Sequence, residues 1–172
     1  MNTLEALREA VAASYDIERE VGQGGMAHVY LARDRKHDRQ VALKVISSEV
    51  AVGLATERFL REIQICARLT HPHILPLLDS GSAGDRPYFV MPYVPGDSIR
   101  DRMQRVPQFP IDEAVTLIRE VADALDYAHA AGVLHRDVKP ENVLLLGNHA
   151  VVLDFGVGRA ISAASEIGRA HV

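Results

Sequence analysis

Two short strings near the end of the chain hold most of its reactive side chains. They are His135-Arg136-Asp137-Val138-Lys139-Pro140-Glu141-Asn142 and Asp154-Phe155-Gly156. Upstream stand a glycine cluster, Gly22-Gln23-Gly24-Gly25-Met26-Ala27-His28-Val29, and the run Val41-Ala42-Leu43-Lys44. Glycines let a backbone approach a polyphosphate closely and present its N–H groups. A lysine in an otherwise apolar strand needs an anionic partner if it points inward. Lysines, carboxylates and an amide are the parts expected where catalysis is mostly positioning and charge neutralisation, and phosphoryl transfer is such a reaction.

Each feature alone has a plainer explanation. The glycine cluster is equally a hairpin that binds nothing. It lies between two expected strands, which argues against a dinucleotide site, because that needs a strand followed by a helix. Lys44 and Glu62, taken as an isolated pair, read more readily as two exposed charges, and a lone Asp-Phe-Gly triplet arises by chance. The order of the motifs, each on the element expected for it, is what chance does not supply.

Taken in order, these residues resemble the motifs of the eukaryotic-like serine/threonine protein kinases, the bacterial branch in particular, from about Tyr15 to about Ile161. Gly22, Gly24 and Val29 match the kinase glycine loop, and Ala27 replaces its third glycine. The resemblance implies an α+β, two-lobed protein-kinase-like fold. It would have a complete N-lobe, an antiparallel sheet plus a helix, and the first part of a helical C-lobe. It implies ATP and Mg2+, and a protein partner with Ser or Thr hydroxyls. Lys44 would hold the α- and β-phosphates, oriented by Glu62; the Arg61-Glu62-Ile63 setting ahead of Leu69-Thr70-His71-Pro72 favours Glu62 over Glu57. Asp137 would accept the substrate hydroxyl's proton, and Lys139 would neutralise the transferring phosphoryl group. Asn142 and Asp154 would hold metal. Val21, Gly22, Gly24 and Gly25 join the ATP site, and Val29, Ala42 and Leu144 would sandwich the base. Met91 would be the gatekeeper, with the Pro92 carbonyl and the Val94 backbone serving the hinge. His135, Phe155, Cys66 and Leu77 would stack as a spine, which is also ordinary core packing. Arg136 before Asp137 implies activation by phosphorylation of the following loop. Lys139, two residues after Asp137, favours Ser/Thr over Tyr.

The alternative is a non-catalytic nucleotide-binding or pseudokinase fragment, against which the intact Lys44, Glu62, Asp137, Asn142 and Asp154 count. Small-molecule phosphotransfer of the aminoglycoside-kinase type shares the Asp and Asn but not the surrounding strings.

The positioning elements follow from periodicity. Leu4, Leu7 and Val11 predict a short helix over 3–13. Strands are expected at 15–17, near Val21, at 29–32, 41–46, 74–78 and 88–91, the last two around a Gly81/Gly84 turn. Phe59, Leu60, Ile63 and Ala67 predict a helix that ends before His71-Pro72. The clearest helix runs over 111–131, with Ile111, Ala114, Val115, Ile118, Val121, Ala122, Leu125 and Ala128 as its stripe and Gly132 at its end. Gly147-Asn148 is expected to turn a hairpin between 142–146 and 150–153.

The domain boundaries expected are an extension at 1–14, an N-lobe at 15–91, a hinge at 92–96, a partial C-lobe at 97–161 and a tail at 162–172. No Ala-Pro-Glu motif follows Gly156. The chain is therefore expected to be a fragment whose own activity is open. Its helix 111–131 and catalytic hairpin are expected to expose apolar surface. Residues 166–172 resemble the conceptual translation of a sequencing adapter, so the frame is expected to be artificial beyond about Ser165.

Composition narrows the classes further. Lys plus Arg is 19 and Asp plus Glu 23, a formal net charge of -4. No global attraction to nucleic acid is expected. Cys66 is the only cysteine, which fits a reducing, cytoplasmic setting. No apolar run approaches a membrane span and no signal-peptide pattern opens the chain. The histidines show no zinc-ligand spacing, and nothing in the sequence sets an oligomeric state.

Overall fold

The computed structural model describes residues 3–24, 26–47, 51, 56–106 and 108–155. Gly25, Gly156 and the tail 162–172, including the adapter-like 166–172, lie outside the described residues. Among the described residues, those up to Ala67 together with Leu77–Tyr93 form one unit. Arg68–Pro76 and the residues from Val94 onward form another.

The first unit is a five-stranded sheet with one helix before its first strand and another between its third and fourth. Helix α1 (Thr3–Val11) leads into β1 (Tyr15–Gln23), β2 (Ala27–Asp34) and β3 (Arg39–Ile46). Helix α2 (Thr56–Cys66) precedes β4 (Asp79–Ala83) and β5 (Arg86–Pro92). Strand order is β1-β2-β3-β5-β4, antiparallel throughout. Side chains alternate across a strand, and β3 sorts its residues accordingly. Val41, Leu43 and Val45 join Tyr30, Ala32 and Val90 in one cluster, sealed by Leu7 and Val11 of α1. Ala42 and Lys44 therefore fall on the other face, as do their register partners Leu31 and Met91, and Val29 and Phe89. Helix α2 buries Phe59, Ile63 and Cys66 and lies against β4 and β5.

Strand β4 differs from the sequence expectation of 74–78. It is Asp79–Ala83, a small, polar run that no β-propensity marks. Gly81 lies inside it, because a Cβ there would meet the Tyr88 hydroxyl at 2.7 Å. The turn is left to Gly84, at φ +64°. Ile74 instead makes a single parallel bridge to Val152 in the second unit.

The second unit contains α3 (Ile99–Arg105), α4 (Ile111–Ala130), a single 3-10 turn (Pro140–Asn142) and the hairpin β6 (Val143–Leu146) and β7 (His149–Val152). Gly147 turns that hairpin at φ +60°. Helix α4 closes as Gly132 predicts. At φ +77° Gly132 donates to His129 O, and Val133 N–H to Ala128 O, a Schellman pair. The short α3 escaped the periodicity reading, although Ser98 and Asp101 cap each other reciprocally at its start.

The buried side of α4 is not the stripe expected, of which Ala128 alone is buried. Leu117, Ala124 and Ala128 are buried, and Leu117 clusters with Val143, Leu145 and Ala150 of the hairpin. Ile111 and Ile118 are 80% and 68% exposed. The two sets lie roughly 120° apart around the helix. The apolar arc is wider than the hairpin covers, so periodicity finds the helix without choosing its packed side. Val115 and Leu146 are exposed too, as expected for helix and hairpin, and so is Met103 of α3. No helix among the described residues is long and apolar enough to cross a membrane.

Leu7 is 1% exposed and anchors α1 to the first unit. Leu7→Ala should cost about 2–4 kcal/mol in a urea titration. An unchanged midpoint would show that α1 is not part of that core.

Candidate active site

The second unit assembles its polar groups around the loop before β6. Asp137 Oδ2 lies 2.8 Å from Lys139 Nζ. The Asn142 amide donates to the Asp137 backbone carbonyl at 2.8 Å and to Oδ2 at 3.0 Å. The 3-10 turn closes on Lys139 through Asn142 N–H to Lys139 O, 2.9 Å. Pro140 suits its first position, where no N–H is required. The three residues named from the catalytic string are thus one hydrogen-bonded group.

Burial would raise the Asp137 carboxyl, but the Lys139 ammonium and the Asn142 amide outweigh it and hold the group below the ordinary carboxylate value. Lys139 moves the opposite way, raised chiefly by its hydrogen bond to Asp137. The pair is ionised on both sides at neutral pH.

His135 fixes this loop to the chain after β7. It is 1% exposed. Its Nε2 lies 2.6 Å from Leu153 O and must donate; its Nδ1 faces the Asp137 N–H at 3.2 Å and must accept. Those two contacts define one neutral tautomer. Phe155 packs edge-on against the ring, centroids 4.7 Å apart. On either side, Arg136 and Asp154 adopt φ +66° and +63°. Left-handed backbone at a non-glycine residue costs on the order of 1–3 kcal/mol and persists only where neighbours hold it.

Asn142 and Asp154 come together through the hairpin. Val143 pairs with Val152, and Leu153 N–H continues the ladder to Asn142 O at 2.9 Å. The two residues therefore flank the open end of β6–β7. Their side chains offer hard oxygen donors, since the Asn142 nitrogen is spent on Asp137. One amide oxygen and one carboxylate suit Mg2+, which keeps water or phosphate in its remaining positions. Among the described residues, no group of three or more His, Cys, Asp or Glu is placed to hold a metal. Leu144 is half-buried on β6, next to the Ser98 bridge, and Gly96 is needed where a Cβ would sit 3.0 Å from Leu145 O.

In the first unit the glycine loop joins β1 to β2. Val21 and Gly22 are half-buried in β1, Gly22 opposite Val29, and Gly24 N–H bonds Ala27 O at 3.0 Å. A Cβ on Gly22 or Gly24 would meet nothing closer than 3.7 Å, and neither has positive φ. The fold does not require glycine at either position. Lys44, half-buried on β3, sits 6.0 Å from the Phe89 ring centroid. Val29, Ala42, Lys44 and Met91 share a sheet face. Pro92 ends β5 opposite Val41, and Val94 is half-buried beyond it. Glu62 is half-buried on α2 one turn before Cys66, whose thiol burial and the Glu62 charge push up to about 11. Leu77 is half-buried in the same unit. Sequence spacing missed one group altogether: His71, His73 and His149 converge with Glu120 and Asp123 of α4.

The profile of the protein kinase domain family matches residues 15–171, and the chain belongs to that family. It is 39% identical over 159 residues to the serine/threonine-protein kinase PknB of Mycobacterium leprae, covering 89% of this chain and 26% of that protein. It is 40% identical over 154 residues to PknB of Mycolicibacterium smegmatis, covering 86% of this chain and 25% of that protein. The chain thus spans about a quarter of the length of these relatives. Among solved structures, the kinase domain of Mycobacterium tuberculosis PknI matches with a TM-score of 0.75 and 39% identity, over 84% of this chain and 60% of that one.

If Lys139 holds Asp137 acidic, Lys139→Met should move the Asp137 carboxyl titration upward, toward the free carboxylate value near 4. Carbon-detected NMR of that carboxyl reads the shift directly. A titration unmoved by the substitution would remove Lys139 from this role.

Proposed function

We propose that this chain is the catalytic part of a serine/threonine protein kinase that transfers the ATP γ-phosphoryl group to protein Ser or Thr hydroxyls. The observation that carries the proposal is the Asp137–Lys139–Asn142 group, set beside Asp154 at the open end of one hairpin. A substrate hydroxyl directed by Asp137 forms the new O–P bond, the β–γ bridging bond breaks, ADP leaves, and the hydroxyl proton passes to the Asp137 carboxylate. A carboxylate held below its usual pKa is a weak base. Its main contribution is therefore to orient the hydroxyl, and it takes the proton late, as a loose transition state allows. Lys139 sits where it can offset charge on the moving phosphoryl group.

Asn142 and Asp154 would hold Mg2+, which when bound neutralises charge on the β- and γ-phosphates. Lys44, oriented by Glu62, would hold the α- and β-phosphates. Val21, Gly22, Gly24 and Gly25 would cover them. Val29, Ala42, Leu144 and Met91 would enclose the adenine, with Pro92 and Val94 offering backbone groups. The lone Cys66 supports a cytoplasmic setting for this domain.

The full-length protein should phosphorylate Ser or Thr in a peptide library with Mg-ATP and stop on chelation of the metal. Asp137→Ala and Lys44→Ala should each lower kcat by about 10²-fold or more. Variants as active as the parent would sink the assignment of these roles.

A further inference from the structure

Glu120 is a nearly buried carboxylate that the transfer mechanism does not use. It stands mid-way along α4, its side chain 13% exposed. Its Oε2 accepts the Ala150 N–H at 2.7 Å, and its Oε1 lies 2.6 Å from His149 Nδ1. From the other side, His73 Nδ1 donates to the Ala150 carbonyl at 2.8 Å, and lies 3.9 Å from Glu120 Oε2. Burial alone would raise the Glu120 pKa; the Ala150 N–H and the two imidazoles hold it below the usual value instead. It is an anion with fixed partners.

Ala150 is fully buried in β7. Both of its backbone polar groups are satisfied from outside the hairpin. The next outward pair is satisfied too: Val152 N–H donates to His73 O at 2.8 Å, and Leu75 N–H to Val152 O at 3.0 Å. One turn along α4, Asp123 Oδ2 receives His71 Nε2 at 3.1 Å, and His71 Nδ1 accepts the His73 N–H at 3.2 Å. Helix α4 thus grips β7 directly and, through 71–73, a second time. Two-stranded hairpins are marginal without such support. Strand β7 leads straight to Asp154, and its partner β6 begins directly after Asn142.

We propose that Glu120 is a positioning residue for phosphoryl transfer: by fixing the Ala150 peptide it locks β7 and sets the placement of Asn142 and Asp154 for the metal. The proposal rests on the kinase function given above for those two residues. Groups that orient metal ligands from behind typically change metal affinity by about 10–100-fold when removed.

The test uses Glu120→Ala and Glu120→Gln in the full-length protein, with two measurements. Residue-resolved hydrogen exchange should show Ala150 protection reduced about tenfold in the alanine variant, as for one lost hydrogen bond. It should be largely kept in the glutamine variant, whose amide oxygen still accepts. The Mg2+ concentration for half-maximal phosphorylation should rise about tenfold in the alanine variant, with KM for the protein substrate unchanged and the glutamine variant between. A merely destabilised protein would lose active fraction without moving the Mg2+ midpoint. Unchanged Ala150 protection in Glu120→Ala, or lost protection with an unmoved Mg2+ midpoint, would overturn the proposal. A wild-type protein that transferred no phosphoryl group would end the kinase function, and Ala150 protection would then decide whether Glu120 locks β7.

Discussion

The second unit's candidate metal ligands depend on one two-stranded hairpin. Asn142 and Asp154 lie at its open end because Val143 pairs with Val152 and the ladder runs on through Asn142 and Leu153. A ladder of two strands has little stability of its own. Here its inner face packs Val143, Leu145 and Ala150 on Leu117, while its outer edge is paired by 73–75 and by Glu120. Every unpaired backbone group of that edge would otherwise be buried at a cost of about 1–3 kcal/mol.

The same hairpin fixes the charged loop before it. His135 donates past β7 to Leu153 O and accepts a hydrogen bond from the Asp137 N–H, which ties the loop to the chain just before Asp154. The left-handed backbone at Arg136 and Asp154 is tolerated inside that frame. Lys139 completes it by helping to hold the Asp137 carboxyl below the ordinary value. In the first unit an analogous economy operates. One face of β3 builds the core with α1, which releases Ala42 and Lys44 on the opposite face.

Much of this was legible in the residues because motif spacing and chain punctuation are local. Gly132 and Gly147 mark their helix end and hairpin through the backbone angles they alone adopt cheaply. Other features, the short α3 among them, were not legible. Strand β4 is small and polar, so it carries no pattern. Helix α4 has more apolar arc than it buries. His71, His73 and His149 meet Glu120 only because a loop, a strand and a helix converge.

The sequence by itself determined which atoms are available for chemistry and in what order, together with membership of the kinase family, since both reside in short strings of side chains. The tertiary structure alone decided which side of α4 faces the hairpin, where the Asn142 amide is spent, and what completes the outer edge of β7. Those outcomes depend on contacts between residues distant in the chain, such as His73 with Ala150 and Glu120 with His149. No local periodicity encodes such contacts, because each is chosen only when the hydrogen-bonding needs of all the packed elements are met together.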